Sequence, residues 1–385
     1  MNVGVFTLFT FVHVLSTFAV AHDFGGHQNI PSQIIFQVYF VYDLTTHSAL
    51  LQDSNKAHRY ATAFLNPINL LFRHMMNPKI RFDVKSTSAE DHKTNTDAMK
   101  ELFVVESAPQ VSATESLKKI GEAKSTYPQL FASDIVLAIS GRSVYTTYNG
   151  QKSYSPQGLT NEGRVCEKGK NAVVVHDDGK SFDGLQNAAF QISRLLGAPS
   201  ACTKDHWKMS SDWALFELNS CVIKAIRDTL NKLWTEHKSE CFPSRTVSLY
   251  SPYFTELLPS DLVSEAEFCD GKSVQDNLPQ GYEMKHLLRC NETHMGDKTW
   301  YQAQADTRAY KLKETVYWNL GPQDRSVTCV FICCNGIWLP PKYSQYNVRE
   351  YATEYKRFRS IDGTPCEKDK ICFRGKCEFI LKLNQ

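Results

Sequence analysis

Charge of either sign is not in excess in this chain. Its 385 residues carry 43 Lys and Arg against 41 Asp and Glu, for a formal net charge of +2. That balance creates no broad field to gather nucleic acid or an anionic membrane, and no run of Lys or Arg supplies one locally. After the N-terminal stretch there is no apolar run long enough to span a bilayer. No two histidines stand four apart, no G-x-S-x-G occurs, and no two cysteines have C-x-x-C spacing. These absences remove the helical two-histidine metal site, the serine nucleophile elbow and the paired zinc ribbon from the readings open to it. Cysteine is missing altogether before Cys166, and there is no internal repeat or low-complexity tract.

What is present begins with a targeting segment. Val3–Phe18 is almost uninterrupted apolar sequence and Ala19-Val20-Ala21 is a small-residue cleavage site, so residues 1–21 read as a signal peptide and the mature chain is expected to be secreted from near His22. The 12 cysteines are even in number and crowd from Cys241 onward, with Cys333 and Cys334 adjacent. In an exported protein that pattern reads as a disulfide framework. Asn291-Glu292-Thr293 is a glycosylation sequon. With 42% hydrophobic and 22% charged residues the composition supports a packed core, and the length suits two or three domains.

Hydrophobic patterning divides the chain. Strands are predicted at Ile34–Tyr42, Ile80–Val84, Ile135–Ile139 and Ala172–Val175, each a short β-branched or aromatic run. Helices are predicted over His58–Met75, Leu117–Tyr127, Ser181–Ser200 and Cys221–Trp234 from apolar residues at helical spacing. Pro67 should kink the first helix or mark its first turn. Alternating strands and helices indicate a mixed α/β domain over residues 22–242. Beyond it the periodicity weakens, and residues 243–385 read as a cysteine-rich, loop-rich C-terminal region. That region ends in a small loop module from Asp362-Gly363-Thr364-Pro365-Cys366 to Gly375-Lys376-Cys377.

The third helix carries the informative pattern. Leu185, Ala189, Ile192 and Leu196 form its core face. Aligned on Gly197, the segment has the frame of H-E-x-x-H-x-x-G-x-x-H, in which three histidines hold zinc and the glutamate is the general base. The ligand positions hold Phe190, Arg194 and Ser200, and the base position holds Gln191. Phenylalanine has no lone pair, arginine is a permanent cation, a serine hydroxyl is a poor zinc ligand and glutamine cannot take a proton. By itself the stretch also reads as an ordinary amphipathic helix. His176 and His206 are isolated and read as surface or hydrogen-bonded residues.

The flanks resemble the reprolysin (adamalysin) family of metzincin metalloproteases, and within it the secreted salivary metalloproteases of ticks. Phe64–Val84 is similar to the family's first helix and second strand. Gly158-Leu159-Thr160, Cys166 and Val173–Asp177 are similar to its cleft-edge strand, cysteine and following strand. Lys208-Met209-Ser210 stands where the family places its Met-turn, with Met209 beneath the zinc. Cys221–Leu230 resembles the domain's last helix, and the C-terminal cysteines its cysteine-rich module. The resemblance implies a metzincin-type fold, with a mixed twisted sheet and a long active-site helix. It also implies the pairings Cys166–Cys241 and Cys202–Cys221, and a propeptide that this sequence leaves no room for before Ile34.

Family activity and residue chemistry therefore point in opposite directions. The residues imply a secreted pseudoprotease with no cofactor and no catalytic residue. It would bind an extracellular protein or peptide through a cleft lined by Phe190, Gln191 and Arg194, or through its cysteine-rich region. The family implies an active zinc endopeptidase with non-standard ligands. A decoy competing with active relatives has the same chemistry as the first reading and differs only in partner.

Overall fold

The computed structural model describes residues 30–43, 46–90, 101–105, 110–123, 126–154, 158–203, 216–242, 257–265, 267–268, 287–289, 329–337, 351–367 and 370–379. The signal segment, His206, Met209 and Asn291 lie outside the described residues, as does the side chain of Cys241.

In chain order the N-terminal elements are β1 (Gln33–Tyr42), α1 (Ser48–Leu51), α2 (Ser54–Phe72), β2 (Lys79–Thr87), β3 (Gln110–Ser112), α3 (Ala113–Glu122), α4 (Pro128–Ala132), β4 (Ile135–Ser140), β5 (Ser143–Tyr148), β6 (Gln151–Ser153), β7 (Gly158–Thr160), β8 (Ala172–His176), α5 (Leu185–Leu195), α6 (Ser200–Thr203) and α7 (Ser220–Cys241). The C-terminal strands are β9 (Leu287–Arg289), β10 (Val330–Ile337), β11 (Tyr351–Arg359), β12 (Pro365–Glu367), β13 (Lys370–Phe373) and β14 (Lys376–Phe379).

The chain is a mixed α/β protein built on a five-stranded sheet ordered β2-β1-β4-β8-β7. β1 pairs in parallel with β2 and β4, and β4 with β8; β7 closes the edge antiparallel to β8. Helices cover both faces, which explains why β1 is apolar at nearly every position instead of at alternate ones. Phe36, Val38, Phe40 and Tyr42 point into a core shared with Phe64, Ile68 and Phe72 of α2 and with Leu185, Ala189, Ile192 and Leu196 of α5 and its C-cap. Tyr39 and Val41 point the other way, against Val136, Ala138, Val174 and the Leu117–Ile120 face of α3.

Helix ends depart from the sequence reading where capping sets them. α2 begins at Ser54, ahead of its apolar stripe, because Asp53 accepts from the amides of Asn55 at 3.0 Å and Lys56 at 3.1 Å. Pro67 stands well inside α2, so the first-turn placement is corrected. α3 begins at Ala113, where Ser112 accepts from the amide of Glu115, and is over by Glu122, ahead of Tyr127.

The C-terminal region contains several disulfides and two three-stranded sheets, β11-β10-β9 and β12-β13-β14. The second of these replaces the expected loop module. Cys366–Cys377 closes it, and Cys329–Cys372 ties it to the start of β10. Ile371 and Phe373 pack with Leu258 against Leu70 of α2, which seats the module on the back of that helix. Among the described residues no helix is long and apolar enough to cross a membrane.

Candidate functional site

α5 places Phe190, Gln191 and Arg194 beside the sheet edge, and Ser200 follows it in the next helix. Its C-terminus is set by Gly197, whose φ of +105° is open to glycine and strained for other residues. A Cβ there would lie 2.1 Å from Oγ1 of Thr229 in α7. The amide of Gly197 donates to the Arg194 carbonyl at 2.9 Å, and that of Ala198 to the Ser193 carbonyl at 2.9 Å. The chain then turns into α6, which begins at Ser200. Cys202 of α6 is bonded to Cys221 of α7. Cys166 is also in a disulfide.

Phe190 and Gln191 do not line an open cleft, contrary to the sequence expectation. Phe190 is 3% exposed and packs edge-on against Phe216, with ring centroids 5.6 Å apart. Gln191 is wholly buried; its Nε2 donates to the Gly158 carbonyl at 2.9 Å, while its Oε1 has no hydrogen-bond partner. A side chain at 158 would bring a Cβ within 2.8 Å of the Val174 carbonyl and 3.4 Å of Gln191 Cγ, so the glycine is what lets β7 approach the helix. Arg194 pairs with Glu162, Nη2 to Oε2 at 2.9 Å, and its guanidinium lies 5.9 Å from the Phe190 ring centroid. The amide of Gly163 donates to the Arg194 carbonyl at 3.0 Å. Helix α5 is thus joined to β7 and the turn after it by a side-chain amide hydrogen bond, an ion pair and a backbone hydrogen bond.

Read as a zinc centre, this donor set does not fit. Phe190 offers no donor, and Arg194 brings a cation already matched to a carboxylate. Gln191 presents its amide nitrogen to a carbonyl and can serve neither as base nor as anionic ligand. A second group of candidate ligands fails on different chemistry. The sulfurs of Cys329, Cys366 and Cys377 lie within 4.8 Å of one another, but all three are in disulfides and offer no thiolate.

The turn His176-Asp177-Asp178-Gly179, which follows β8 and leads into α5, carries a cluster of carboxylates. Asp177, Asp178 and Asp183 hold carboxylate oxygens within 4.8 Å of one another. Buried Asp177 accepts from Tyr60 Oη at 2.6 Å, Gly179 N at 2.8 Å and Gly184 N at 3.0 Å. Burial, then the charges of Asp183 and Asp178, push its carboxyl up to about 7. Asp178 accepts from the amides of Lys180 and Ser181 at 2.8 and 2.6 Å. The trio organises a turn. His176 is held by the Arg142 and Ser140 carbonyls at 2.9 and 3.1 Å, as a hydrogen-bonded residue. Burial lowers its proton affinity, but Asp183, 3.7 Å from Nε2, together with the Arg142 carbonyl and Asp177, outweighs that and raises the imidazole to about 9. The signal for the turn was His176-Asp177-Asp178-Gly179 itself, whose acidic side chains suit backbone amides as well as metals.

No family model matches the chain, and no curated protein matches it. Among solved structures, one described as "Structure of a chaperone-substrate complex" aligns over 44% of this chain and 24% of its own, with a TM-score of 0.29 and 10% identity. The chain therefore spans about a quarter of that protein's length, and a likeness so loose carries no argument about fold or function.

Proposed function

We propose that this chain is a secreted, zinc-free pseudoprotease of the reprolysin type that acts by binding an extracellular protein or peptide. One observation carries the reading. The two positions that would supply the general base and the second zinc ligand are each fixed in a structural role. Gln191 holds the Gly158 carbonyl at 2.9 Å and Arg194 holds Glu162 at 2.9 Å. A five-stranded mixed sheet with an antiparallel edge strand beside α5 supports the metzincin-type frame. The disulfides and the lack of a membrane-crossing helix among the described residues agree with secretion.

Because Phe190 and Gln191 are buried, recognition falls to the surface around Arg194 and Glu162 or to the cysteine-rich region. The active-endopeptidase reading has no observation in its favour at these positions. The test is incubation of the purified chain with an unfolded protein substrate in zinc-containing buffer, with and without 1,10-phenanthroline. The expected result is no chelator-sensitive cleavage. Peptide-bond cleavage that the chelator abolishes overturns the proposal.

A further inference from the structure

Away from α5, a cavity of about 160 Å³ opens where the C-terminal module meets the end of α2. Leu70, Leu71 and Phe373 form apolar walls, and Arg73, Arg374 and Lys376 bring three permanent cations. Glu217 and Glu378 oppose them, so the lining keeps one positive charge while His74 is neutral.

The two arginines are only partly used. Arg73 reaches Glu378 through Nη2 at 3.3 Å and lies over Phe373, 5.5 Å from its ring centroid; its side chain is 13% exposed, and its buried Nη1 has no hydrogen-bond partner. Arg374 donates from Nη2 to the Phe216 carbonyl, and its buried Nε likewise has no partner. A guanidinium N–H buried without an acceptor carries the full desolvation penalty of that group. The two arginines come from different elements to line a cavity with a residual positive charge, and each has hydrogen-bonding capacity the protein leaves unused.

We infer that this cavity binds a monoanionic oxyanion, a sulfate ester or a carboxylate, held by the guanidinium groups of Arg73 and Arg374 with Lys376 completing the charge. One negative charge cancels the residual positive one, and its oxygens accept from the two guanidinium groups. The apolar walls suit the carbon to which such a group is attached. This assignment is independent of the reading of α5.

His74 reports on the site. Its imidazole is lowered by burial and by the charge of Arg73, with Glu378 opposing and Arg374 lowering it further. Lys376 and Glu217 are the other charged groups lining the cavity. An anion seated beside it must raise its proton affinity.

The full-length chain is titrated with methyl sulfate and, separately, with acetate at constant ionic strength, against chloride. The imidazole resonances are followed, and that of His74 is assigned with His74→Gln. The expected result is a saturable shift with at least one of the two anions, an upward move of the His74 titration, and binding about tenfold or more weaker in Arg374→Gln. Which anion binds more tightly identifies the group. Arg374 also holds the Phe216 carbonyl, so its loss could loosen the module. Lys376→Gln, at an exposed position, is the second variant, expected to weaken binding without moving the ligand-free melting temperature. No saturable shift with either anion, or equal affinity in wild type and both variants, overturns the inference.

Discussion

Gln191 is the residue on which chemistry and structure meet most sharply. Its amide can donate to the Gly158 carbonyl, whereas a carboxylate in the same place would face that oxygen with a negative charge and no exposure to water. Gln191→Glu is therefore expected to destabilise the fold at neutral pH by about 3–5 kcal/mol, the scale for an uncompensated buried charge. Burial would raise the new carboxyl in the folded state, so the deficit should shrink as pH falls toward the ordinary Glu value. Chemical denaturation at pH 4.5 and pH 8 checks this. Asp177 provides the companion case. Its folded-state carboxyl is raised from 3.8 to about 7, so the folded chain binds its proton more tightly than the unfolded chain does. That contribution is fully present below about 3.8 and is lost as pH climbs through 7. Asp177→Asn retains an oxygen for Tyr60 and Gly179 but carries no titrating proton. Its stability should decline less than that of wild type between pH 4 and pH 7. His176, raised to about 9, adds a further decline from about 6.5 upward in both proteins.

At the scale of elements, the end of α5 and α7 meet in a close joint. Gly197 adopts φ +105° with Thr229 directly over its Cα. Gly197→Ala meets both a forbidden backbone region and a 2.1 Å approach, and is expected to destabilise by about 3 kcal/mol or more, read as a lowered melting temperature. Much of this scale was legible in sequence. The apolar runs at β1, β4 and β8 are covered on both faces, so they stood out without any need for alternation. Helix starts were less legible where a cap precedes the stripe, as at Asp53. The Ser112-Ala-Thr-Glu115 pattern marks the start of α3, ahead of the apolar residues from Leu117 on which the predicted helix rests. The β5–β6 hairpin turns at Asn149-Gly150, with φ +50° and +75°, the residue pair that such a turn favours. Its strands are short and partly exposed, so they left only a faint pattern. The Arg194–Glu162 pair joins positions 32 residues apart, a separation at which sequence spacing says nothing about contact.

For the molecule as a whole, the sheet and its helices pack around α5, which holds Phe190 and Arg194 where the proposed reading would place zinc ligands, with Ser200 opening α6. There Phe190 fills space against Phe216, Arg194 answers Glu162, and the Cys202–Cys221 bridge holds the following turn. A catalytic zinc requires three protein ligands, and proteins retain such ions through purification when those ligands are present. The most direct test is the zinc content of the purified, untagged, full-length chain after dialysis against zinc-supplemented and then metal-free buffer. Far less than one zinc per chain is the predicted result; one tightly held zinc per chain contradicts the account.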